Sequence, residues 1–227
     1  MNIKSLTTSL LATVLLVSGA QADTKIEFYG NYTRSDYIRL ERDGDRGQFI
    51  VLSHFMKATE TRMFVRDTIV MEVNPPIRVY VAGEGDDEVR LSLQGDLAYD
   101  SDARVTFGAG EASLISRHKT PTVRTLYDGY VNRSDYVRVE EWSFPEQESS
   151  LSIVTSTFDN RTQERYRVDS HQFIETFPAQ EEFRATNHFD GTSVEFTVFD
   201  TTPRTATLQI NDGAAQSVSL LETAGVD

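Results

Sequence analysis

The sequence predicts an all-β protein made of two tandem β-sandwich domains related by an internal repeat. Three observations carry that expectation: a duplicated block, an alternation of apolar and polar residues with period two, and Asp-Gly turn signals between short strand-like runs.

The duplicated block comes first. Tyr29-Gly30-Asn31-Tyr32-Thr33-Arg34-Ser35-Asp36-Tyr37-Ile38-Arg39-Leu40-Glu41 recurs as Tyr127-Asp128-Gly129-Tyr130-Val131-Asn132-Arg133-Ser134-Asp135-Tyr136-Val137-Arg138-Val139-Glu140, read with one residue inserted between Tyr130 and Arg133. The likeness continues downstream. Ser53-His54-Phe55 matches Ser156-Thr157-Phe158, then Thr59, Arg62 and Val65 match Thr162, Arg165 and Val168, and Val89-Arg90-Leu91-Ser92-Leu93 resembles Val194-Glu195-Phe196-Thr197-Val198. Order is kept while the offset drifts, as insertions in surface loops would cause. The units expected are residues 23–122 and 125–227, each the size of a small domain, with Arg117-His118-Lys119-Thr120-Pro121-Thr122 as a polar connector.

Period two comes next. Ile38 and Leu40 fall on one face of the block, and Tyr37, Arg39 and Glu41 on the other; Val137 and Val139 oppose Tyr136, Arg138 and Glu140 in the same way. Further strands are expected at 48–55, 62–73, 77–81, 88–93 and 103–107 in the first unit. In the second they are expected at 151–158, 164–168, 172–177, 183–187, 193–199, 205–210 and 216–221. Turn signals stand at Asp43-Gly44, Asp128-Gly129, Asp190-Gly191 and Asp212-Gly213. Six or seven short strands per unit suit a sandwich. An eight-stranded outer-membrane barrel is the rival, opposed by short strands that are polar on both faces and by the terminal Gly225-Val226-Asp227.

Residues 1–22 read as an export signal, with Lys4, an apolar core over 10–17 and the cleavage pattern Ala20-Gln21-Ala22. The apolar run is too short to span a bilayer, and no other stretch reads as a transmembrane helix. The expected location is therefore periplasmic or extracellular. The chain has no Cys, which excludes disulfides, thiolate-bound metals and a cysteine nucleophile. Stability must come from packing. Residues 23–124 hold 14 basic and 17 acidic residues, net −3, and residues 125–227 hold 7 and 18, net −11. Such an anion repels nucleic acid.

Chemistry-bearing patterns are sparse. The histidines His54, His118, His171 and His188 show no metal-ligand spacing. No serine-nucleophile or phosphate-cradling motif occurs, and no cofactor is expected. Glu84, Asp86, Asp87 and Glu88 form one acidic turn and Asp96, Asp100 and Asp102 another; both read as solvated loop tips rather than calcium sites. The sequons at Asn31, Asn132 and Asn160 matter only in a host that glycosylates.

The candidate binding residues are those of the repeated polar face: Tyr37, Arg39, Glu41, Tyr136, Arg138 and Glu140, with Trp142, the only Trp. Either Arg and Glu pair under a Tyr cover, or the face is a contact surface, between the units or with a protein or glycan. The function expected is that of an exported, non-enzymatic protein acting by surface contact, in an adhesive, matrix, envelope-associated or accessory binding role. A small secreted hydrolase or carbohydrate-binding module, and an outer-membrane barrel, are the alternatives.

Overall fold

The computed structural model describes residues 24–54, 58–95, 102–133, 135–157 and 162–221. The export signal at 1–22, Phe55, Asp96, Asp100, Ser134, Phe158, the Asn160 sequon and the last residues lie outside these. Among the described residues the protein is all-β, with no α-helix.

The first nine strands are β1 (Thr24–Asn31), β2 (Tyr37–Asp43), β3 (Gly47–His54), β4 (Thr59–Met71), β5 (Ile77–Ala82), β6 (Val89–Gln94), β7 (Ala103–Phe107), β8 (Ser113–Leu114) and β9 (Ser116–Arg117). Each strand from β1 to β7 pairs antiparallel with the next, and β9, which follows β8 after one residue, returns to β1. The remaining strands are β10 (Thr122–Tyr130), β11 (Asp135–Ser143), β12 (Ser150–Thr157), β13 (Thr162–Ile174), β14 (Gln180–Thr186), β15 (Ser193–Phe199), β16 (Thr205–Ile210) and β17 (Gln216–Leu220). These eight form a meander whose last strand pairs with its first, through Gly129↔Leu220 and Tyr130↔Ser219, so the ladder closes into a barrel. Period two reveals that one face of each strand is buried. It does not distinguish two opposed sheets, as expected from the sequence, from one sheet bent round until its ends meet.

Two glycines make the closure possible. A Cβ on Gly30 would sit 2.8 Å from the Ser116 carbonyl oxygen, and one on Gly129 would sit 2.7 Å from that of Ser219. At both positions only a hydrogen fits beneath the returning strand. Gly30 pairs with Ile38 and Gly129 with Val137, so the two copies of the block align without the insertion read from the tyrosines. Phe28, not Tyr29, then stands where Tyr127 stands.

The long strands β4 and β13 are bent. Each pairs with the preceding strand over its first half and with the following strand over its second, with a register shift at Val65/Asp67 in one and at Val168/Ser170 in the other. Their outer halves project as hairpin arms, whose turns hold the cis peptides Asn74–Pro75 and Phe177–Pro178.

Apolar side chains fill the space inside each half. Phe28, Ile38, Leu40, Ile50, Tyr80 and Leu91 belong to one cluster. Val137, Val139, Ile153, Phe183, Phe196 and Leu208 belong to the other. A third, small cluster of Ile26, Val123 and Trp142 lies at the seam where β1 rests against β10. The halves are also joined by hydrogen bonds along their edges, since β4 pairs antiparallel with β13 through Thr61↔Thr162, Glu60↔Gln163 and Thr59↔Glu164.

Candidate functional site

Period two puts Ile38 and Leu40 into the first apolar cluster, which turns Tyr37, Arg39 and Glu41 to the opposite face of β2. On β11, Val137 and Val139 are inside and Arg138, Glu140 and Trp142 are turned away. Those two outward faces meet each other. Between them lies a network of charged side chains almost without water access: Arg39 is 0% exposed, Glu41 1%, Glu60 1% and Glu140 2%.

Glu60 on β4 is its hub. Arg39 donates to both oxygens of its carboxylate, at 2.8 and 3.0 Å. Arg165 of the other half donates to the same oxygens at 2.8 and 3.4 Å. Gln163 Nε2 donates at 2.6 Å and the Tyr37 hydroxyl at 3.0 Å. From this hub the network runs outward on each side. In the first half Arg39 donates to Glu41 at 2.9 Å, Arg62 donates to Glu41 at 2.6 Å, and Arg62 donates to Asp43 at 2.7 Å. In the second, Arg165 donates to Glu140 at 2.7 Å, Arg138 is ion-paired with Glu140, and Trp142 Nε1 donates to Glu140 at 2.8 Å. The Arg165 guanidinium lies 4.5 Å and that of Arg39 5.3 Å from the Trp142 ring centre.

Four arginines (39, 62, 138 and 165) thus face four carboxylates (41, 43, 60 and 140). The balance matters because an uncompensated charge at this depth costs several kcal/mol. Burial by itself pushes the carboxyl pKa values up, yet the guanidinium groups more than offset it. Arg165 and Arg39 hold Glu60 well below the ordinary value, Arg39 and Arg62 hold Glu41 below it, and Arg138 and Arg165 lower Glu140 to about 2. Burial disfavours the charged guanidinium of Arg39, and Glu60 and Glu41 reverse that as well. Glu41, Glu60 and Glu140 therefore stay ionised at neutral pH, and none of the three is poised to exchange a proton.

Of the sequence candidates, Tyr37, Arg39, Glu41, Arg138, Glu140 and Trp142 come together here. Tyr136 lies at the rim, its ring 5.5 Å from Tyr130, with Asp128 and Arg46 in electrostatic reach. Burial raises the pKa of Asp128. Glu60, Arg62, Gln163 and Arg165 were not among the candidates. The signal for them was present: Glu60 and Arg62, like Gln163 and Arg165, alternate with the neighbours that continue the repeat.

A second polar cluster stands beside the apolar core of the second half. The Tyr127 hydroxyl donates to Glu181, whose other oxygen lies 2.8 Å from His171 Nε2. His171 stacks at 4.5 Å on the buried Phe183. Burial and the Glu181 charge push the Tyr127 hydroxyl pKa up. Elsewhere, Glu88 of the acidic turn bonds Arg66 and, at 2.7 Å, Arg90. Among the described residues no group of three or more His, Asp or Glu is placed to hold a metal ion, and no helix is long and apolar enough to cross a membrane.

No protein-family model, curated protein or solved structure matches this chain.

Proposed function

We propose that the chain is an exported, non-enzymatic protein of two tandem units copied from one ancestral module, each a barrel flattened toward a β-sandwich, working by surface contact in the periplasm or outside the cell. The observation that carries this reading is the fate of the repeated Tyr/Arg/Glu face: the side chains of Tyr37, Arg39, Glu41, Arg138 and Glu140 are consumed in the network that joins the halves. Contact with other molecules is left to the outward surfaces and the projecting arms.

The β4–β13 register supports common ancestry. If Thr59 corresponds to Thr162 and Arg62 to Arg165, then Glu60 corresponds to Gln163 and Thr61 to Glu164. The pair Thr61–Thr162 exchanges with Glu164–Thr59, and Glu60–Gln163 maps onto itself. That is the signature of a two-fold, self-complementary interface, as two copies of one module would make before fusion. Apolar clusters inside both halves weigh against an outer-membrane barrel, whose interior is polar and whose outer band is apolar.

Cell fractionation with N-terminal sequencing tests the reading. The expected result is a chain beginning at Asp23, recovered from the periplasm or medium without detergent. Recovery only from detergent-extracted membranes overturns it. One observation favours a small hydrolase or carbohydrate-binding module instead, namely the Tyr127–Glu181–His171 cluster of hydrogen-bonded groups. Glycan binding or turnover that disappears in His171→Ala, with melting temperature unchanged, would establish that second reading.

A further inference from the structure

Over Thr59–Thr61, β4 is flanked by β3 and β13. Past the register shift it keeps β5 on one side only: Asp67 to Met71 pair with Val81 to Ile77, while the β3 ladder has ended at Phe49↔Phe64. Among the described residues no strand pairs with the other edge of this arm. The arm is also apolar and exposed, with Ile69 at 43%, Val70 at 55%, Met71 at 46% and Val73 at 50%. An open edge built from β-branched residues is a template for another strand.

We infer that this edge of β4 joins two copies of the chain, arm to arm and antiparallel, about a two-fold axis at Ile69. The charges on the arm select this occupant and this register. With Ile69 facing its own copy, Thr68 falls opposite Val70; further out on both sides of the axis, Arg66, at the bulge, faces Glu72, the residue that follows the end of β4 at Met71. Two apolar-flanked ion pairs then close the ends of the new ladder. Arg66 already shares Glu88 within its own chain, which leaves its exposed guanidinium donors beside the arm. The corresponding arm of the second half lacks these properties. Asp169 and Glu175 stand where Arg66 and Glu72 stand, so the same pairing about Gln172 would set carboxylate against carboxylate. Asp169 is also engaged in its own half, accepting from the Thr186 N–H at 2.7 Å. The inference rests on the contact reading above and names the partner for it.

Sedimentation of the mature full chain at micromolar concentration tests it. The wild type is expected to be a dimer. Arg66→Glu and Glu72→Arg each place like charges opposite one another twice, and each is expected to weaken the dimer by about tenfold or more. An equimolar mixture of the two single variants restores the complementary pairs and is expected to yield heterodimers at wild-type affinity, a gain that misfolded chains would not show. Phe173→Lys, on the second arm, leaves the dimer intact. A monomeric wild type overturns the inference while leaving contact with another protein or a glycan untouched. So does a dimer that survives both charge variants, one that Phe173→Lys abolishes, or an open-ended polymer.

Discussion

The two halves follow one backbone plan but treat the same positions differently. Asp43 in the first half occupies the place of Trp142 in the second. Arg62 therefore ends on a carboxylate of its own half, whereas Arg165 stacks near an indole and reaches across to Glu60. At the pseudo-axis Glu60 meets Gln163 rather than another Glu. Had both positions held Glu and both outer positions Asp, four arginines would face six carboxylates in a nearly dry space. The two departures from symmetry restore electroneutrality. The comparison teaches that a buried polar interface between two halves of one chain must balance as a whole, with each half carrying a different part of that balance.

Removing the hub should have the largest effect. Glu60→Ala leaves Arg39 and Arg165 without their shared anion and is expected to cost about 3–5 kcal/mol in chemical denaturation. A variant within 1 kcal/mol of wild type, on the order of an exposed pair, would break the comparison. Acid comes next. A carboxylate held below its unfolded pKa contributes stability above that unfolded value and loses it as pH falls through the folded one. Glu140, lowered from 4.5 to about 2, contributes about 3 kcal/mol, with Glu41 and Glu60 acting in the same direction. The melting temperature should fall as pH drops from 4.5 toward 2. Asp128, whose pKa burial raises, acts with the opposite sign and softens the fall.

Gln163→Glu sharpens the comparison by restoring symmetry at the axis. It sets a second carboxylate against Glu60 and should cost roughly 1–3 kcal/mol at pH 7 and less at pH 5, where one of the two binds a proton. The smallest effect is expected at Arg124, whose pair with Glu141 lies on the outer surface. Arg124→Ala should change stability by less than about 0.5 kcal/mol.

Much of this was legible in the residues. The alternation in 37–41 and 136–140 separated what packs inside each half from what lies outside it, and Ile38, Leu40, Val137 and Val139 are all fully buried. Two kinds of feature were hidden. The first is continuity. β13 reads as two strands, 164–168 and 172–177, because Asp169, Ser170 and His171 interrupt the apolar pattern. They sit on a projecting arm where neither face needs to be apolar. Likewise β1 and β10 begin well before the repeated block, and Arg117 belongs to a short closing strand rather than to the connector. The second is partnership. Arg39 and Glu41 look like any exposed strand pair until the other half covers them, and nothing local distinguishes a solvated face from one buried against a distant part of the chain. Glu60 and Gln163 meet only because two strand edges 103 residues apart in sequence lie side by side.

The single Trp makes the decisive measurement direct, since Trp142 is buried against the network. Urea unfolding followed by its fluorescence, in wild type and Glu60→Ala, reports on the contact between the halves. If the buried charges join the halves, the variant's midpoint falls by roughly 1–2 M. An unchanged midpoint would mean that the halves are held by something other than these charges.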